Sequence, residues 1–180
     1  LMMCFDLGGP VNKAASLFAT AGLSTGDTAS MQIMAAVMAA GMVPPIALSV
    51  ATLVRKRLFT PAEQENGKSA WLLGLSFISE GAIPFAAADP LRVIPSMMAG
   101  GAVTGAVSMA LGAASRAPHG GVFVFFAIDN VLGWFVAIII GAIVGAIAVT
   151  AVKQLWPRKT AVDSASADSA DAPAAAAASA

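Results

Sequence analysis

Tyrosine is absent from this 180-residue sequence, cysteine and histidine occur once each, and only 11% of positions are charged. Each shortage excludes something. So little charge, against roughly a quarter of positions in soluble domains, cannot clothe a water-facing globule. Basic and acidic residues balance to a net charge of zero, so there is no basic face to grip nucleic acid. Cys4 and His119 lie far apart with no ligand spacing between them, and no metal or cofactor is expected. Neither a phosphate-cradling Gly loop with its Lys nor a nucleophilic triad is present. A lone thiol forms no intrachain disulfide, and Cys4 reads as a small buried apolar group. "LMMCFDLGG" has neither a charged n-region nor a cleavage site, so no signal peptide is read, and the chain is expected to be a fragment lacking its N-terminal part.

What remains is apolar. The chain is 58% hydrophobic, with a mean hydropathy of +0.81. A helix crosses about 30 Å of hydrocarbon with about 20 residues, which leaves room for three or four crossings. Residues 29–54 form one charge-free stretch, kinked by Pro44 and Pro45. Residues 93–114 and 131–152 form two more, carrying small-xxx-small pairs at Gly101/Gly105 and Gly141/Gly145 that suit close helix packing. Trp71 and Trp156, near the ends of apolar runs, read as interfacial anchors.

Three stretches are broken. In residues 1–23, Asp6, "GGP", Asn12 and Lys13 interrupt the apolar run, which predicts a broken or re-entrant segment. Residues 69–88 are apolar at both ends and interrupted by Ser79, Glu80, Gly81 and Pro84. "SRAPHGG", residues 115–121, is a polar break before the short run "VFVFFAI". The loop at residues 55–68 opens with Arg55, Lys56 and Arg57, and in it "TPAE" predicts a helix start with Thr60 as N-cap, Pro61 at N1 and Glu63 at N3. If Arg55–Arg57 and the basic residues from Lys153 to Lys159 both face the cytoplasm, an even number of crossings separates them. Three apolar stretches lie between, and the broken one, 69–88, is the one that must dip in and return.

An ionised carboxylate at membrane depth costs several kcal/mol unless it is paired or faces water, so Glu80 is the first functional candidate. Irregular backbone at that depth must also be buried in protein or line a cavity, and both conditions meet at "SEGAIP". A carboxylate beside freed backbone groups suits a polyhydroxylated solute. The alternative is a structural carboxylate tied to a neighbouring cation or amide. Asp6, Asn12 and Lys13 form a second polar group, whose alternative is an Asp6–Lys13 ion pair closing a broken helix. His119 is a third candidate, or else an ordinary loop histidine. Residues 160–180, rich in Ala, Ser and Asp, lack the apolar residues needed to bury a core and are expected to be a disordered tail.

"FDLGGPVNKAA", "FTPAEQENGKSAWLLGLSFISEGAIPFAAADPLRVIPSMMAGGAVTGA" and "SRAPHGGVFVFF" closely resemble the fructose-specific enzyme IIC membrane component of the bacterial phosphoenolpyruvate-dependent sugar phosphotransferase system. The likeness runs from residue 1 to about residue 157. It implies an all-α integral membrane fold, with residues 1–159 forming the substrate half: transmembrane helices plus two re-entrant hairpins. By the same likeness Glu80 is the hairpin carboxylate that meets sugar hydroxyls and is a possible catalytic base. Asp6, Asn12 and Lys13 would be polar residues of the other hairpin tip, and His119 would belong to the family's His-bearing break. The implied activity is translocation of a sugar, fructose by resemblance, coupled to its phosphorylation by a phosphorylated IIB domain, with IIA, the histidine phosphocarrier protein and enzyme I upstream. The implied setting is the bacterial cytoplasmic (inner) membrane, with a homodimer formed through the missing N-terminal half. The rival readings are a secondary carrier or channel without phosphate coupling, and an inactive fragment.

Overall fold

The computed structural model describes residues 1–156. The expected tail, with Arg158 and Lys159, lies outside the described residues. A single 3₁₀ turn at Met2–Cys4 precedes helices α1 (Pro10–Leu23) and α2 (Thr28–Val54). After a second 3₁₀ turn, α3 (Pro61–Leu75) leads through a sharp break to a 3₁₀ turn at Ser79–Ala82 and the short α4 (Ile83–Ala88). Helix α5 (Pro90–Ala110) and α6 (Val131–Leu155) complete the bundle. Between them, β1 (Ala114–Ser115) and β2 (Ile128–Asp129) pair antiparallel around a 3₁₀ segment at Gly121–Ala127. Among the described residues three helices, α2, α5 and α6, are long and apolar enough to cross a membrane. They answer to the three uninterrupted stretches of the sequence.

The starts of the helices are written in local chemistry. Thr60 Oγ1 accepts the Glu63 N–H at 3.3 Å and Glu63 Oε2 accepts the Thr60 N–H at 2.7 Å, the reciprocal capping box that "TPAE" predicts. Asp27 caps α2 by accepting the Ser30 N–H at 2.7 Å. Asn130 accepts the Gly133 N–H to start α6 and donates to the Leu111 carbonyl just past α5, at 3.2 and 2.6 Å. One side chain thus closes the turn between two antiparallel helices.

Helix α6 is inverted relative to a helix in water. Gly133, Ala137, Gly141, Ala142, Gly145 and Ala146 face inward, while Leu132, Val136, Ile139, Ile143 and Ile147 are exposed. Small residues inside let helix backbones approach, and bulky ones outside suit lipid. The partner face on α5 differs from the expected Gly101/Gly105 pair. A Cβ at Gly100 would come within 2.8 Å of the Gly141 carbonyl and 3.1 Å of Gly145 Cα. Gly101 instead makes room for the Cys4 thiol, and a Cβ at Gly105 would meet open space. The spacing was present, but the rotation of α5 put the neighbouring glycine in the seam.

Residues 61–88 start and finish at one end of the bundle. Glu63, at the start of α3, pairs with Lys153 near the end of α6 at 3.0 Å, and Arg92, just after α4, donates to the Trp156 carbonyl at 2.5 Å. Phe59, just before the segment, and Phe85, near its end, pack edge to face with centroids 6.3 Å apart. Lys153 is therefore a buried partner of Glu63 lying 4.0 Å from the Phe59 ring centre, and not part of a solvated basic edge. Its place beside residues 59–63 nevertheless sets the ends of α2 and α6 at the same end of the bundle, as the parity argument requires.

Candidate functional site

The first fold-back is made by a short polar code. Leu7 and Gly8 take positive φ (50° and 112°), Gly9 follows, and Pro10 begins α1. Asp6 reaches across this turn to accept the Val11 and Asn12 N–H groups at 2.6 and 2.9 Å. A Cβ at Gly9 would stand 2.6 Å from Asp6 Oδ2, so glycine is what lets the cap close. Asn12 is buried and donates to the Met3 carbonyl at 2.7 Å, and Lys13 donates to the Gly8 carbonyl at 2.9 Å. No Asp6–Lys13 ion pair forms.

The second fold-back breaks at residues 76–78, where Phe77 has φ +62°. It then runs into the Ser79–Ala82 turn that carries Glu80. The two tips touch: a Cβ on Gly8 would lie 2.7 Å from Glu80 Oε1. The His119 loop is fitted against the same place. Gly121, at φ +58°, lies against the backbone of Leu75 to Phe77, and the His119 and Phe77 rings pack with centroids 5.0 Å apart.

These three elements enclose a cavity of about 540 Å³, a size typical of small-molecule sites. Asn12, Lys13, Glu80 and His119 all line it, together with Ser16, Thr20, Phe77 and Ser79. Four of the five predicted site residues therefore converge from segments far apart in sequence. Asp6 lies outside the lining, both carboxylate oxygens engaged in capping α1. Among the described residues, the Glu80 carboxylate has no hydrogen bond or ion pair to protein, so it is not tied up structurally and faces the cavity with its acceptors free.

Ser16, Thr20, Ser79 and Phe77 had not been singled out as site residues. Asn12, Ser16 and Thr20 recur every fourth residue, which places them along one face of α1, and that stripe was legible. Phe77 and Ser79 carried no such signal. A larger groove of about 690 Å³, between α1, α2 and α5, is lined by apolar side chains and glycine, among them Phe18, Ile33 and Met109, and contains none of the predicted residues. A sugar needs convergent polar groups, which of these two the smaller cavity provides.

No family model matches the chain and no solved structure matches it. Curated relatives do. The chain is 57% identical over 156 residues to the PTS system fructose-specific EIIB'BC component of Escherichia coli strain K12, covering 85% of this chain and 27% of that protein. It is 50% identical over 163 residues to the PTS system fructose-specific EIIC component of Haloferax volcanii, covering 91% of this chain and 43% of the relative. It is 44% identical over 153 residues to the fructose permease IIC component of Bacillus amyloliquefaciens, covering 85% and 49%. The chain thus spans between about a quarter and a half of the length of these relatives.

Proposed function

We propose, for a chain that belongs to the fructose-type enzyme IIC components of the phosphotransferase system, that it forms the sugar-binding part of a permease and that the Glu80 cavity holds the sugar. The observation that carries this reading is the convergence of Glu80, Asn12, Lys13 and His119 on one cavity, with the Glu80 carboxylate unpaired. Carboxylate and amide groups accept and donate to hydroxyls, and a Lys head and an imidazole add donors around a neutral polyol. The two fold-backs, one from each end of the bundle, act as re-entrant hairpins whose tips meet at membrane depth, where irregular backbone is tolerated because it lines a cavity.

In this reading a sugar, fructose by family, enters the cavity and is carried to the cytoplasmic face of the inner membrane by a rocking motion of the substrate half. There a phosphorylated IIB domain, itself charged through IIA, delivers the phosphoryl group. The bond from phosphorus to the IIB side chain breaks, a bond to the sugar hydroxyl oxygen forms, and the hydroxyl proton passes to the Glu80 carboxylate acting as base. The charged fructose 1-phosphate cannot recross hydrocarbon, which makes uptake irreversible. Asp6 shapes the cavity by fixing the start of α1, from which Asn12, Lys13, Ser16 and Thr20 project. Dimerisation runs through polypeptide outside this chain.

Glu80→Gln tests the assignment in a full-length fructose permease that carries this chain, with its IIB domain. Fructose binding is expected to persist, with phosphorylation lowered about 10²- to 10⁴-fold, the usual contribution of a positioned base. Unchanged phosphorylation ends the base role. Abolished binding with wild-type folding leaves Glu80 as a hydrogen-bond partner of the sugar. Fructose accumulation in vesicles without a phosphodonor would instead favour an uncoupled carrier.

A further inference from the structure

Helix α2 contains two consecutive prolines, Pro44 and Pro45, within an otherwise continuous helix. Each lacks the N–H that would bond the carbonyl four residues earlier, so Ala40 and Gly41 are left with unbonded carbonyls in the buried middle of the bundle. Both are taken. The Cys4 thiol, from the first tip, donates to the Ala40 carbonyl at 3.3 Å, and the Ser79 hydroxyl, from the second, donates to the Gly41 carbonyl at 2.9 Å. Gly41 also admits both tips sterically: a Cβ there would lie 2.5 Å from Phe77 Cε2 and 2.9 Å from Met3 Cε. Pro45 itself forms part of the wall on which the second fold-back rests, since Cβ atoms on Gly74 and Gly81 would come within 3.0 and 3.3 Å of its ring.

We infer that the proline pair is a docking device: it exposes two adjacent carbonyls that latch the two tips to one point on α2, and through the Ser79–Gly41 bond it sets the position of the neighbouring Glu80 carboxylate. Ser79 and Cys4 are positioning residues here, not catalytic ones. The physical reason is economy of polar groups. Three elements, the two tips and α2, bring a hydroxyl, a thiol and two carbonyls to the buried middle of the bundle, and each donor satisfies an acceptor. A straight helix without prolines would offer the tips no acceptor, and tips without Cys4 and Ser79 would leave the carbonyls bare. The role of the latch in binding rests on the sugar-site reading above. The latch itself does not.

The experiment is a double-mutant cycle between Ser79→Ala and Pro45→Ala in the permease containing this chain, read in two ways. Amide hydrogen exchange over residues 76–81, measured without sugar, is expected to speed up about tenfold in Ser79→Ala, the effect of losing one buried hydrogen bond. Ser79→Thr, which keeps the hydroxyl, should restore it. Pro45→Ala returns an N–H to the Gly41 carbonyl, so in that background Ser79→Ala should cost no more than about twofold. Unchanged exchange in Ser79→Ala, or strictly additive effects of the two substitutions, overturns the inference. The second readout is fructose phosphorylation, whose kcat is expected to fall about tenfold in Ser79→Ala with the fructose dissociation constant changed less. Faster exchange and coupling to Pro45 with unaltered kcat would uphold the latch and sink the role given to Glu80 in the sugar site instead.

Discussion

Replacing Lys153 by methionine isolates the value of burial in an ion pair. Lys153 Nζ lies 3.0 Å from Glu63 Oε1, with both side chains 5% exposed, and the ammonium also faces the Phe59 ring at 4.0 Å. Lys68 and Glu65 are closer, at 2.6 Å, but 65% and 72% exposed. Distance alone would rank the second pair higher. Solvation reverses the order. In water an exposed pair contributes about 0–1 kcal/mol, whereas removing one member of a buried pair leaves a carboxylate without its counter-charge at a cost of about 3–5 kcal/mol. Lys153→Met is therefore expected to lower unfolding free energy in detergent by about 3–5 kcal/mol, and Lys68→Met by less than about 1 kcal/mol. Glu63→Gln keeps a side chain that can close the capping box. Added to Lys153→Met, it removes the orphaned charge and should recover more than half of the loss. The assay is reversible unfolding by denaturant titration in detergent micelles, followed by helical circular dichroism. If Lys153→Met proved no more costly than Lys68→Met, or if the double variant were no better than the single one, the Lys153 head would have to be hydrated and the closure of the 61–88 segment against α6 would be wrong.

The other predictions concern the helix seam and the cap of α2. Gly100→Ala should destabilise the α5–α6 contact by about 1–3 kcal/mol, because the new methyl meets the Gly141 backbone. Gly105→Ala, in open space, should be neutral or stabilising by up to about 1 kcal/mol through helix propensity, and thermal melts of the two variants separate these outcomes. Asp27, exposed at the start of α2, has its carboxyl held below the 3.8 of a free aspartate, first by the Thr25 hydroxyl and then by the Ser30 N–H and hydroxyl. A depressed carboxylate stabilises the fold above its unfolded pKa and loses that contribution as pH falls through the lower folded value. Melting temperature should thus drop below about pH 4 with a component that Asp27→Ala removes. An unaltered acid limb in that variant would count against the cap.

Hydropathy alone located α2, α5 and α6, because a run of about 20 uncharged residues has few places to go but across a bilayer. The capping box of α3 was legible for a different reason: the three residues that make it are adjacent, and their hydrogen bonds are local. Glu80 was legible by its cost, since a carboxylate in so apolar a setting needs an explanation. His119, Asn12 and Lys13 entered as polar breaks and through family likeness, and the cavity unites them with Glu80. Asp6 was legible as polar, but not as the cap of α1.

The sequence by itself determined which segments are apolar enough to span, where they break, and which carboxylate stands out. These depend on composition and on neighbours within a turn or two. Only the tertiary structure decided that Gly100 and not Gly101 fills the α5–α6 seam, that Lys153 turns inward to Glu63, and that Cys4 and Ser79 dock on the carbonyls bared by Pro44 and Pro45. Those outcomes hang on the rotation of each helix about its own axis and on the depth at which two tips meet. A shift of one residue turns a helix by about 100° and brings a different side chain to the contact.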